Sequence, residues 1–395
     1  MDGRKLIRTV QLENILSYGP STPVLQLEPL NVIVGPNASG KSNFLEALAI
    51  LAAAPRDLQE PLRVGGGVVE WLWKGSEESP KATIEVTVEN LWNEPLRYRL
   101  SFSQFFARFV LKDEAIEDEH SRSPGTSPAF YYQYRDGNPV IRVDGEPSSE
   151  RQLKREDVKF EQSILSQLRN PGFLSGLERL THTFEGIRIY REFPLGHNSP
   201  LRRPQQADLI QDYLLEDGSN LAAVLSYLLN QPATKSRILD HIQDFHRPVQ
   251  DILAALLGGS IQVSFHERGL YHPIPSIRLS DGTLRFLCLL AVLCHPNQPS
   301  VICIEEPETG LHPDVIPKLA KLLVEASERS QVIVTTHSDI LVDALSDTPE
   351  AVVICEKVDG ATQLRRLDAD ALKSWLEDYR LGELWTRGDL GGNVW

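Results

Sequence analysis

Apolar residues along the chain follow two rhythms that succeed one another. Near the N-terminus "LIRTVQL" and "PVLQLE" alternate apolar with polar, as a half-buried strand does, and "LNVIVG" is a short apolar run suited to a strand covered on both faces. From Lys41 the spacing lengthens, and Phe44, Leu45, Leu48 and Leu51 recur on one face of a predicted helix. Strands return between about Val68 and Ser103, in "ATIEVTVEN" and "LRYRLSFS". The acidic, turn-rich "KDEAIEDEHSRSPGTSP" then reads as an exposed excursion, and "FYYQYRDGNPVIRVDG" as a hairpin turning at Asp136-Gly137-Asn138. Helices dominate from about Glu156 to Gly258, interrupted by one strand at "GIRIYREF". The last part alternates strand and helix: "SIQVSFHE", "DGTLRFLCLLAVL", "SVICIEE", "HPDVIPKLAKLLVEAS", "SQVIVTTHS", "AVVICEKV". That alternation predicts a parallel sheet covered by helices.

Composition narrows the picture. A chain of 395 residues exceeds one ordinary core, so one large α/β unit with insertions, or two domains, is expected. A formal charge of −14 excludes a chain coated in basic surface. Contact with DNA then requires a local patch, a partner or the groove of a dimer, and Arg188, Arg191, Arg202 and Arg203 form the one loose basic cluster; its default reading is a salt-bridged face. No apolar run reaches bilayer length, and "MDGRKLIRTVQL" lacks the core of a signal peptide, so a cytoplasmic protein is expected. Cys288, Cys294, Cys303 and Cys355 have apolar neighbours and no CxxC spacing, which predicts buried free thiols rather than a metal site.

The candidate chemistry lies where strands end. Gly35, Pro36, Asn37, Ala38, Ser39, Gly40, Lys41 and Ser42, followed by Asn43, fit the phosphate-loop pattern G-x-x-x-x-G-K-[ST] between a strand and a helix. The glycines let the backbone curl so that amides face phosphate oxygens. Lys41 would reach the β- and γ-phosphates, and Ser42 would hold Mg²⁺. Glu305 and Glu306 close an apolar strand expected beside that loop: Glu305 suits the metal, Glu306 the attacking water. Ser280, Asp281 and Gly282 open a helix, either as a plain N-cap or as an anion-binding start. His337 ends a further strand at the same edge, where it could sense the γ-phosphate.

"GPNASGKS", "LSDG", "VICIEEPETGLHP" and "VTTHS", in this order, resemble the ABC-type ATPase heads, particularly the branch with SMC, RecF and OLD-type proteins. "LLEDGSNLAAVLSYL" and "LGELWTRGDLGGNVW" resemble compact bacterial ATPases of that branch without a TOPRIM nuclease domain; residues 101–184 match no motif. The resemblance implies an α/β P-loop NTPase head with a mixed or parallel sheet flanked by helices, an antiparallel strand-rich N-terminal part and a helical insertion. On this reading residues 1–110 carry the phosphate loop, 111–258 are the insertion, and 259–395 complete the core. It also implies ATP as ligand, a homodimer in which Ser280 and Gly282 of one copy close over ATP held by the other, and a separate effector in DNA repair or phage defence. Departures are Asp281 in place of a glycine, Glu305 in place of aspartate and His312 in place of the usual D-loop aspartate; Gln133 is a candidate for the glutamine loop. A transporter-type motor and an ATP-gated clamp with little turnover are the rival readings. Asp368 and Asp370 read as a turn and helix cap rather than a nuclease site.

Overall fold

The computed structural model describes residues 5–77, 80–90, 94–121, 128–135, 137–142, 150–153, 158–159, 161–167 and 175–391. Its centre is a six-stranded sheet in the order Ile187–Tyr190, Val301–Glu305, Gln331–Thr336, Leu30–Val34, Val352–Val358 and Ala361–Arg366. The first five strands run parallel and the last pairs antiparallel to its neighbour. The strand predicted at "GIRIYREF" is therefore an edge of this central sheet, although the middle of the chain supplies it.

Both faces of the sheet are buried, which is why its strands read as unbroken apolar runs. Strand residues alternate between two cores. Val32, Val34, Ile302, Ile304, Val332 and Val334 point to one side, where they meet the helices Leu221–Leu229, Asp281–Leu293 and Ile316–Ser327. Ile33, Val301, Cys303 and Ile333 point to the other, where the helix Lys41–Ala53 lies beneath a second sheet. That second sheet is antiparallel and eight-stranded, and the long strands Ile7–Glu13, Ala82–Val88, Leu96–Phe105 and Arg108–Asp118 lie within it. Gln331 ties the two sheets together: its side-chain oxygen accepts from Ile7 N at 2.9 Å and its amide donates to Ile7 O at 2.8 Å.

Three expectations change. The first part of the segment read as an exposed excursion, residues 112–118, is strand: Arg108–Asp118 pairs along its length with Leu96–Phe105. Its charges are matched by the neighbouring strands. Arg97 meets Glu117 at 2.8 Å, Arg99 meets Asp113 at 3.2 Å, and Glu114 is wholly buried. Residues 122–127 of that segment, and Asp136 of the predicted turn, lie outside the described residues, but the strands Phe130–Arg135 and Asn138–Arg142 do form the hairpin. Second, Val68–Trp71 is a short helix rather than the start of a strand. Third, Val249–Leu257 is not helical. It pairs antiparallel with Ser260–Glu267 through Gly258 and Gly259, whose φ values of 57° and 83° suit a two-residue hairpin turn. Ile252, Leu253, Leu256 and Leu257 have helical spacing, and the turn overrides it.

The four cysteines are free and buried. Burial pushes the Cys294 and Cys355 thiols up to about 11 and those of Cys288 and Cys303 higher still. Among the described residues no helix is long and apolar enough to cross a membrane.

Candidate functional site

Parallel pairing aligns strand ends, and here it brings together residues far apart in the chain. Val34 pairs with Thr336, and Thr335 with Glu305, so the loop, the histidine and the acidic pair share one edge. The acidic strand is not beside the loop strand, as the sequence suggested; Gln331–Thr336 runs between them. The loop spans that gap. Ser42, in the first turn of Lys41–Ala53, donates its hydroxyl hydrogen bond to Glu305 Oε1.

The phosphate loop is held from outside. Gly40 has φ 111° and no side-chain cap, so the helix opens on bare amides that suit an anion. A Cβ on Gly40 would lie 2.2 Å from Thr362 Oγ1, and one on Gly35 would lie 2.2 Å from the Cys355 carbonyl oxygen. Thr362 donates to Ser39 O at 2.7 Å, Tyr18 to Gly40 O at 3.1 Å, and Asn43 to Ser17 Oγ at 2.8 Å. Lys41 folds back onto the Gly35 and Pro36 carbonyls at 2.8 and 2.9 Å. Burial pushes its ammonium down, while Cys355 and the carboxylates of Glu306, Glu308 and Glu305 oppose that. Asn37 and Ala38 are exposed at the tip, and Ala38 takes φ 62°. Ser39 Oγ is buried with no partner among the described residues. An orphaned hydroxyl, free helix amides and an ammonium within one loop fit a polyphosphate. The oxygen donors of Ser42 and Glu305 fit Mg²⁺.

Glu306 follows the strand with φ 43°, a conformation uncommon for a side-chain-bearing residue. Its amide donates to Thr335 O at 3.0 Å, and its Oε1 lies 3.2 Å from His337 Nδ1. The pair is partly open to solvent. Glu308, two residues on, is buried; Thr336 donates to its Oε1 at 2.5 Å, and its Oε2 has no partner among the described residues.

Ser280 caps the helix Asp281–Leu293, accepting from Thr283 N at 3.1 Å, and both Ser280 and Asp281 are exposed. A Cβ on Gly282 would stand 2.9 Å from Gly310 O, so the helix start rests on the turn after the acidic strand. His312 caps the following turn and faces Asp314 at 3.4 Å. Asp368 caps Ala369–Asp378 through the amides of Asp370 and Ala371.

The basic cluster does not form one face. Arg202 is buried, pairs with Asp281 and donates to Leu279 O at 2.6 Å and Leu195 O at 3.1 Å. Arg191 bonds Glu46 at 3.2 Å, and Arg188 lies over the Tyr213 ring at 4.3 Å. Arg203 is exposed and donates to Asn198. Gln133 lies in the Phe130–Arg135 strand of the antiparallel sheet; the residues leaving the edge strand beside Glu305 are Arg191 and Glu192. Sequence reading missed Arg285 and Glu308. Their only signal is a charged residue amid the apolar run "LRFLCLL" and an acid repeated after "EEP".

A family profile described as "AAA domain, putative AbiEii toxin, Type IV TA system" matches residues 30–343. The chain belongs to this family. The match runs from the strand that feeds the phosphate loop to the end of the helix that follows His337. A Helicobacter pylori (strain ATCC 700392 / 26695) protein named "ATP/GTP phosphatase" is 19% identical over 359 residues, 86% of this chain and 87% of that one. Among solved structures, an SMC head bound to the C-terminal winged-helix domain of ScpA superposes with a TM-score of 0.59 at 14% identity, over 93% of this chain and 99% of that chain. An SMC head with an extended coiled coil, bound to the C-terminal domain of ScpA and derived from Pyrococcus furiosus, gives 0.55 at 13% identity, over 94% and 99%. At such identities the likeness is one of fold. The protein is an AAA-family chain with the P-loop NTPase fold that SMC heads share.

Proposed function

We propose that this protein binds ATP with Mg²⁺ and hydrolyses it between two copies paired head to tail. The observation that carries the reading is the meeting of Ser42 with Glu305 and of Glu306 with His337 at one sheet edge. Lys41 and the loop amides hold the β- and γ-phosphates. Ser42 and Glu305 hold Mg²⁺, whose charge when bound offsets that developing on the phosphates. Glu306 accepts the proton of the attacking water, and His337 orients that carboxylate and the γ-phosphate. The exposed helix start at Ser280–Gly282 is the surface of one copy that closes over ATP held by the other.

Glu306→Gln tests the chemistry. The variant is expected to bind ATP and to elute as a dimer only with ATP, while its phosphate release falls about 100-fold or more. Ser280→Arg tests the pairing: a lone subunit of that variant hydrolysing ATP at the normal rate would remove the shared site. A second reading, an ATP-gated clamp with little turnover, is favoured by His312, which caps its own turn where a carboxylate is usual. Phosphate release by the wild type equal to that of Glu306→Gln would establish it.

The family description names a toxin of a toxin–antitoxin system, and the similar SMC heads are bound to ScpA. Both support a separate protein partner; DNA repair or phage defence is the setting that the sequence resemblance implies for it. Direct DNA binding draws no support from the four arginines, three of which are engaged within the chain by Asp281, Glu46 and Tyr213. DNA-stimulated phosphate release that weakens steeply with salt would restore that part.

A further inference from the structure

Arg285 lies in the second turn of the helix that Ser280 caps, with its side chain pointing back into the protein. It is only 7% exposed. Its Nη2 donates to the backbone oxygen of Glu306 at 2.8 Å. That oxygen belongs to the residue held at φ 43°, whose amide is fixed on the other side by Thr335 O. The left-handed backbone of Glu306 is thus held by one bond from the central sheet, one from the helix and one within its own turn, where Thr309 N donates to the same oxygen at 3.1 Å. These bonds set where the carboxylate points, because the side chain leaves the same Cα.

A second buried charge lies two residues after Glu306. Glu308 is 6% exposed and bonded on one oxygen by Thr336, the residue before His337. Among the described residues its other oxygen has no partner, and neither does Arg285 Nε. Burial pushes the Arg285 guanidinium down, and Glu308 is the first of the charges opposing that shift. Two partly unpaired buried charges are costly unless something is gained from holding them there.

We propose that Arg285 is a positioning residue that couples the exposed start of the Ser280–Leu293 segment to the aim of the Glu306 carboxylate. A helix transmits displacement along its axis, and Arg285 stands five residues, less than a turn and a half, from Ser280. Engagement of the helix start by a partner's nucleotide therefore reaches the base of the same chain's own site through one guanidinium. This coupling rests on the shared-site reading above, whereas the positioning contact itself does not.

The test compares Arg285→Ala, Arg285→Lys and wild type in the full chain, by two readouts. The first is amide hydrogen exchange without nucleotide. Arg285→Ala is expected to speed exchange about tenfold or more across residues 305–311 and to leave residues 35–42 unchanged. Unchanged exchange at 305–311 overturns the positioning role whatever the turnover of the wild type. The second is steady-state hydrolysis. Arg285→Ala is expected to lower kcat about 30-fold with KM for ATP within about threefold, and Arg285→Lys, which keeps one donor, to recover about a third of the lost rate or more. A wild-type kcat in Arg285→Ala overturns the coupling, and so does a parallel loss of binding and kcat that lysine does not relieve. If the wild type shows no hydrolysis, or hydrolyses no faster than Glu306→Gln, the hydrolytic reading fails and the exchange experiment alone decides the role of Arg285.

Discussion

His337 Nδ1 stands 3.2 Å from Glu306 Oε1, although the two residues end different strands. Truncating His337 to alanine removes the imidazole and leaves the carboxylate only Thr309 Oγ1, at 3.4 Å, among the described side chains. His337→Ala is expected to lower kcat about 10- to 100-fold with nucleotide affinity nearly unchanged. Titration with a fluorescent ATP analogue beside phosphate release separates the two effects, and a loss of affinity as large as the loss of rate would contradict the assignment.

Gly35 has no room for a side chain, because the Cys355 carbonyl oxygen lies 2.2 Å from where a Cβ would stand and that oxygen is backbone. Gly35→Ala is expected to destabilise the fold by about 1–3 kcal/mol and to weaken nucleotide binding as the loop shifts. Thermal unfolding with and without Mg-ATP reads both. A stabilising shift from Mg-ATP as large as that of the wild type would show that the loop tolerates the change.

Arg202 holds the segment around Ser280 through Leu279 O and Asp281, and is itself braced on Leu195 O. Arg202→Ala leaves those carbonyls without their donor and is expected to cost about 2–3 kcal/mol in chemical denaturation. If Arg202 were instead a surface contact for nucleic acid, stability would not move.

Glu114 gives a pH dependence of defined sign. It is wholly buried and accepts from Tyr98 OH at 2.8 Å, Ser163 Oγ and Ile164 N at 3.0 Å. Burial pushes its carboxyl above the usual range, only partly opposed by those hydrogen bonds. Its folded pKa is thus above its unfolded one, and the folded state holds the proton more tightly. The associated stability is fully present below the ordinary carboxyl pKa and is lost as pH rises through the folded pKa. Wild type is expected to lose stability against Glu114→Gln across that window. Parallel melting curves at every pH would refute the shift.

Much of the site was legible because each part has a local signature. The phosphate loop needs glycines at set spacing, the acidic strand ends in adjacent carboxylates, and Ser280 announces a helix start. The antiparallel strand Arg108–Asp118 was not legible, since its acids look solvated until Arg97, Arg99, Tyr98 and Ser163 arrive from elsewhere in the chain. Val249–Leu257 was misread because two glycines imposed a hairpin on residues with helical spacing.

Local chemistry along the chain settled which segments are strands feeding a phosphate loop, an acidic pair and a histidine, because turn geometry and apolar period act over a few residues. Only the folded molecule decided that Gln331–Thr336 lies between the loop and the acids, that Arg202 is a buried clasp, and that Arg285 reaches the Glu306 backbone. Those are contacts between residues distant in sequence, and pairing of that kind depends on strand order and burial, which no short window of residues contains.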